Sequence, residues 1–317
     1  MTNFMRHRSL LTGALTIVAV SSAIVYLTKR RLNQSCPRVS ITDLPKPSAC
    51  RNLLDTTWEV TTPTPWGLTK STLLSSWSGR DKTHWVSSFV ALQAEVPISQ
   101  LAEYGAFSCD NGSNNNKSDA RHLMQNLVAA FLDARATGPE TWFLDRAVPP
   151  LSFEPSTHLF GRSKTMGAFM LATWDSGQGI SVKLSDLPSG ATKPVTEFCS
   201  NEGFTRDAGS TDIAGAVIYW RFPDGLVGAV DKAVSYGLPW RLMQGGFQEF
   251  IVEKVSDEKA RVTYVCVECT DLHPGGQHER DFKMLPWLFY EAHVLYAQVL
   301  WSKTLKQLER SQSVTLI

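Results

Sequence analysis

The most sustained feature of the hydropathy pattern lies at the amino terminus: from Ser9 to Thr28 (SLLTGALTIVAVSSAIVYLT) no residue is charged. About 20 residues of helix rise roughly 30 Å, the thickness of a bilayer's hydrocarbon core. Arg6, His7 and Arg8 precede the run and Lys29, Arg30 and Arg31 follow it, so the pattern predicts a single-pass transmembrane anchor over residues 9–28. Residues 29–52 hold Pro37, Pro45 and Pro47 with few large apolar groups, the composition of a Pro-rich linker. A single α+β body follows, residues 53–317.

Within the body, Thr56–Thr62 and His84–Val96 are rich in β-branched and aromatic residues and read as strands. Ser99 is placed to cap a short helix running to about Phe107. Ser118 is placed to cap a second, whose Leu123, Leu127, Val128, Phe131 and Leu132 share one face and which Gly138-Pro139 ends. From Leu151 to Asp271 strand-sized runs alternate with Gly, Pro and Asp: Gly167–Trp174, Ile180–Leu184, Ala214–Phe222, Phe247–Val255 and Arg261–Thr270. That spacing predicts a mostly antiparallel sheet. Pro286 then opens a closing helix to about Arg310.

Composition narrows the classes of function. The chain has 317 residues, 43% of them hydrophobic, with 31 basic and 30 acidic side chains for a net charge of +1. Disorder is excluded, and no basic footprint for nucleic acid is present. The expected partners are the lipid bilayer, through residues 9–28, and a hydrophobic small molecule. No cofactor is implied, since Gly245-Gly246 and Gly275-Gly276 lack the Lys and spacing of phosphate loops and no G-x-S-x-G elbow occurs.

The expected location is a membrane, crossed once. Ser21 and Ala23 have cleavage-like spacing and leave a signal peptide open, and the absence of acids before Asp43 leaves a mitochondrial leader open. An endomembrane is favoured. Lys29, Arg30, Arg31 and Arg38 slightly outweigh Arg6 and Arg8, which tilts the body towards the cytosol, whereas sequons at Asn111 and Asn116 count only for a lumenal body. The six cysteines, Cys36, Cys50, Cys109, Cys199, Cys266 and Cys269, are too scattered for a disulfide scaffold.

The order of helix pair, meander of strands and long closing helix resembles the helix-grip architecture of the START lipid-transfer proteins and the birch-pollen-allergen relatives. Tyr236-Gly237-Leu238-Pro239, then Gly246-Phe247-Gln248-Glu249-Phe250-Ile251-Val252-Glu253, is similar to the carboxy-terminal part of a poorly characterised bacterial and plant family with a YGTLPGHPExGEExF-like stretch. The likeness covers about the last 80 residues, and Trp240-Arg241-Leu242-Met243-Gln244 replaces the family's Gly-His-Pro segment. It implies a curved antiparallel sheet gripping a long carboxy-terminal helix.

Phe247–Val255 and Arg261–Thr270 are expected to form a hairpin around Ser256-Asp257-Glu258-Lys259, with Glu249 facing Cys266 and Phe247 facing Glu268. In that register Glu249 and Glu268 are diagonal neighbours roughly 7 Å apart. One carboxyl could then raise the pKa of the other and make an acid/base pair, provided that this face is shielded from water. Cys266-Val267-Glu268-Cys269 has C-x-x-C spacing, but in a strand its sulfurs point to opposite faces, and the two imidazoles of His273–Glu279 sit in a Gly-rich loop. No metal site is expected.

On the closing helix, Glu291, Gln298, Ser302 and Glu309 form a polar stripe, and His293 lies on an apolar flank with Ala297 and Leu300. His293 is therefore either a hydrogen-bonded core residue or a polar handle in a pocket. Trp240, Met243, Tyr264, Tyr290 and Tyr296 are the candidate ligand-binding residues, and Glu249, Glu268 and His293 the candidate catalytic ones. Three functions fit: binding of a hydrophobic small molecule or lipid at a membrane, a cyclase- or isomerase-like biosynthetic enzyme on the same fold, and a membrane-tethered interaction module.

Overall fold

A computed structural model describes residues 23, 25–48, 50–51, 54–55, 69–71, 84–104, 119–137, 167–175, 212–222, 224–237, 245–271 and 287–315. Most of the Ser9–Thr28 run lies outside them, as do the expected strands 56–62 and 180–184, both sequons and the His273–Glu279 loop. Among the described residues no helix is long and apolar enough to cross a membrane.

The fold is α+β. Seven strands, β1 (Leu54–Asp55), β2 (Thr69–Ser71), β3 (His84–Pro97), β4 (Gly167–Asp175), β5 (Ile213–Arg221), β6 (Gly245–Lys254) and β7 (Lys259–Asp271), form one sheet in the order β1-β2-β3-β7-β6-β5-β4. Every neighbouring pair is antiparallel. The first long strand, β3, thus lies beside the last, β7, with two helices intervening directly after β3: Ile98–Ala102 and Ala120–Ala136. Asp119, not Ser118, caps the second of these, its carboxylate accepting from the Arg121 amide. The closing helix, Trp287–Thr315, is one turn longer than expected.

One face of the sheet carries Leu92, Ile218, Phe250, Val262 and Tyr264 into a core shared with Phe131 of helix Ala120–Ala136 and Trp301 of the closing helix. Four rings meet there. Tyr264 lies 5.0 Å from Phe131, 5.3 Å from Phe250 and 5.6 Å from Trp301, centroid to centroid, the last pair stacked. Rings at these separations gain packing beyond their buried area and fill the middle of the space between sheet and helices.

The opposite face is also buried, by Val217, Phe247, Ile251, Val265 and Val267 among others. Here the observed hairpin departs from the expected one. The loop is three residues, Ser256–Glu258, because the Ser256 hydroxyl accepts from the amides of both Glu258 and Lys259 and Val255 already bonds Lys259. Glu249 consequently faces Val265 and Phe247 faces Val267, one residue away from the expected partners Cys266 and Glu268. A one-residue slip moves a whole strand's side chains to the other face. Glu249 and Glu268 therefore stand on opposite sides of the sheet and form no pair.

The stretch expected to be a linker is packed against the body. Residues 25–35 are helical and run alongside the closing helix, with Lys29 paired to Glu291 and Asn33 accepting from the Gln298 amide at 2.7 Å. The polar stripe of the closing helix is the seat of this amino-terminal helix. Residues 37–39 then bond to the edge of β3 that β2 leaves open, through Gln93 to Pro37 and Val39 to Ala91. The following residues form a strap with Leu44, Ser48 and Cys50 buried. Three prolines do not stop such a strap from packing, because it needs few backbone donors.

A further helix, Asp224–Ser235, joins β5 to β6 and was not expected. Gly225, Gly228 and Pro223 read as loop signals in sequence.

Candidate functional site

The helix-facing side of the sheet turns polar at one end. Glu268, Gly246 and Trp220 align across β7, β6 and β5, and the next row holds Cys266, Gln248 and Ile218. Glu268, Gln248 and Cys266 are all buried. Over them lies the first half of the closing helix, which places His293 Nε2 3.0 Å from Glu268 Oε1. The atom is shut off from solvent and makes an ion-pair contact rather than an aligned hydrogen bond. The structure thus brings together two of the three candidate catalytic residues and adds Cys266, which within hydrogen-bonding reach of His293 completes a thiol, imidazole and carboxylate cluster.

Burial alone would lower the His293 pKa. The Glu268 carboxylate, helped by Cys266, outweighs it and holds the imidazole well above its ordinary 6.5. The shift favours the imidazolium, a donor of hydrogen bonds and protons. Beside it, the Trp220 indole nitrogen is buried without a hydrogen-bond partner. Its ring packs edge-on to Phe222 at 5.4 Å and covers Gly246, where a Cβ would come within 3.1 Å of the indole and 1.9 Å of the Val267 carbonyl. Only glycine lets the indole lie so close to the strand.

Glu249 has a different part. It is buried on the far face and accepts from the Ser48 hydroxyl at 2.7 Å, the Cys50 amide at 3.0 Å and the Trp174 indole at 2.9 Å. Trp174 reaches it by lying over Gly215, where a Cβ would sit 2.2 Å from the ring. From β6 the carboxylate ties the strap to β4 across β5. Carboxylates so supplied with donors hold structure together.

Of the candidate ligand-binding residues, Tyr264 is at the centre of the ring cluster and Tyr296 is half-buried at the edge of the core. Tyr290 belongs to the first turn of the closing helix, its side chain outside the described set, and Trp240 and Met243 lie outside the described residues. Trp220, Gln248 and Cys266 were missed as site residues. The signal for the last two is their position one residue from Glu249 and from Val267, hence on the opposite face, which becomes readable only with the true register.

An open cleft of about 730 Å³ lies away from these residues, between the amino-terminal helix, the end of β3 and the second half of the closing helix, and is bordered by Arg31, Gln93, Arg261, Lys306 and Glu309. Cys36 is buried at its wall, and burial pushes its thiol pKa up against opposing contributions from Ser35 and Lys306.

No family model matches the chain. No curated protein matches it either. Among solved structures it is similar to human STARD10, at 8% identity over 82% of this chain and 75% of that one with a TM-score of 0.26. It is also similar to the lipid transfer and protein localization domain of human StarD13 (DLC2), at 8% identity over 89% and 95% with a TM-score of 0.20. Superposition at these scores transfers no residue and no role, and the site is read from its own geometry.

Two outcomes are expected. Glu249→Leu leaves a hydroxyl, an amide and an indole unpaired in the interior and lowers unfolding free energy by roughly 3 kcal/mol or more, with faster hydrogen exchange at residues 44–51. Unchanged exchange there contradicts the tether. For His293 the folded pKa exceeds the unfolded one, so the pair's stabilisation is complete below about pH 6.5 and is lost as pH rises through the higher folded value. Glu268→Gln drops the His293 titration measured by NMR and removes this alkaline loss of stability; an unmoved titration refutes the pairing.

Proposed function

We propose that the chain is a membrane-tethered binding protein of helix-grip type, and that its ligand is an amphipathic small molecule or lipid held between the closing helix and the polar end of the sheet. Residues 9–28 are the tether. The observation that supports the ligand reading is the Glu268–His293 pair enclosed between sheet and helix beside the unpartnered indole nitrogen of Trp220. A buried donor without an acceptor costs about 1–3 kcal/mol, and a ligand oxygen would offset that. The apolar part of the ligand rests on Ile218, Trp220 and Phe222, while the aromatic cluster at Tyr264 forms the floor.

A second reading gives His293 proton-transfer work in a cyclase- or isomerase-like reaction. Its raised pKa favours this for one half-reaction, since an imidazolium oriented by a carboxylate is a general acid. Glu249 has no share in it, being on the other face of the sheet.

Native mass spectrometry of the full chain released from detergent, with organic extraction of the same sample, tests the binding. One equivalent of an amphipathic compound is expected on the wild type, and His293→Leu reduces its occupancy by roughly tenfold, the worth of one charge-assisted hydrogen bond. A clean apo mass for both proteins contradicts the reading.

A further inference from the structure

Helix Asp224–Ser235 has the pattern of an amphipathic helix and packs like none of the others. Leu226, Val227, Ala229, Val230 and Ala233 fall on one side of it, and Gly225, Gly228, Asp231, Lys232 and Ser235 on the other. None of its described residues is buried: Leu226 is 43% exposed, and Tyr236, in the turn closed by Gly237 at φ +102°, is 81% exposed. Of the arc, Leu226 and Ala229 are exposed while Val227, Val230 and Ala233 are half-buried, so its outer edge faces water, and such an apolar edge is costly unless covered.

Its place in the fold says what covers it. The helix leaves β5 at Arg221 and returns to β6 at Gly245, residues paired with each other at the Glu268 end of the sheet. The amino-terminal helix runs parallel to the closing helix, Lys29 at Glu291 and Asn33 at Gln298, so residues 25–28 lie at that same end. Val25, Tyr26 and Leu27 are 52%, 64% and 60% exposed, and they are the last apolar residues of the Ser9–Thr28 run. The partly uncovered arc, the exposed end of the apolar run and the polar end of the sheet thus lie at one end of the described body.

We propose that helix Asp224–Ser235 lies in the boundary between headgroups and acyl chains of the bilayer that residues 9–28 cross, and so holds the Glu268–His293 end of the grip against the membrane, where an amphipathic ligand can pass between bilayer and protein. The proposal rests on the tether reading. The helix carries Asp231 beside Lys232 and no excess of basic residues, so its insertion depends on the apolar arc and not on anionic lipid.

The test is photocrosslinking of the full chain in zwitterionic phosphatidylcholine nanodiscs with a diazirine carried on the lipid acyl chain, mapped by peptide mass spectrometry. Labelling of both 9–28 and 224–236 is expected, with the second roughly tenfold above the exposed Val255 hairpin at the far end of the sheet. Leu226→Asp with Val230→Asp, both on the surface, abolishes label at 224–236 and leaves 9–28 unchanged, whereas Lys232→Ala alters neither. Label at 9–28 without label at 224–236 overturns the proposal while sparing the tether. Label at neither segment overturns both.

Discussion

The register of one hairpin determines the rest of this structure. Ser256 closes a three-residue loop by accepting from two amides with one hydroxyl, and the pairing of β6 with β7 follows from that loop along their whole length. With it, Glu268 and Cys266 enter the space under the closing helix, and Glu249 goes to the far face. Had the loop kept four residues, both glutamates would have shared a face of the sheet.

The two glutamates show how the same residue type acquires opposite tasks from its surroundings. Glu249 has three donors aimed at it and is fully engaged in fixing the strap and β4 to the sheet. Glu268 meets the imidazole of His293 from a different element, with Cys266 and Gln248 beside it and an unpartnered indole nitrogen across the sheet. The first arrangement resists change. The second joins sheet to helix through groups whose charges depend on each other. The strap and the amino-terminal helix add orientation, because residues 25–35 are seated on Gln298 and Glu291 and cannot swing as a free spacer would.

The element types were legible because their patterns are long: the closing helix, helix Ala120–Ala136 and the four strands around Phe250 all appear close to where their periodicity puts them. Register was not legible, since β6 and β7 are buried on both faces and alternation then carries no information about which side is inward. Pro37, Pro45 and Pro47 suggested a spacer, although proline is equally compatible with an extended strap packed on a surface. Helix Asp224–Ser235 was hidden by Gly225 and Gly228, each an ordinary loop signal, inside an amphipathic arc that needed the whole 12-residue window to be seen. His293 and Glu268 were both recognisable as chemistry-bearing residues on apolar surroundings. Their meeting is a tertiary fact that neither local pattern contains.

The most direct test of the account is a cross-strand disulfide between β6 and β7. Residues directly opposite in an antiparallel pair have Cα atoms at bridging distance, and neighbours one position along point to the other face. Gln248 stands opposite Cys266. Mild oxidation of Gln248→Cys is expected to give a disulfide with Cys266 in the peptide map, and Glu249→Cys is expected to give none with Cys266. A bridge from Glu249→Cys and not from Gln248→Cys would return Glu249 to the face of Cys266 and contradict the account.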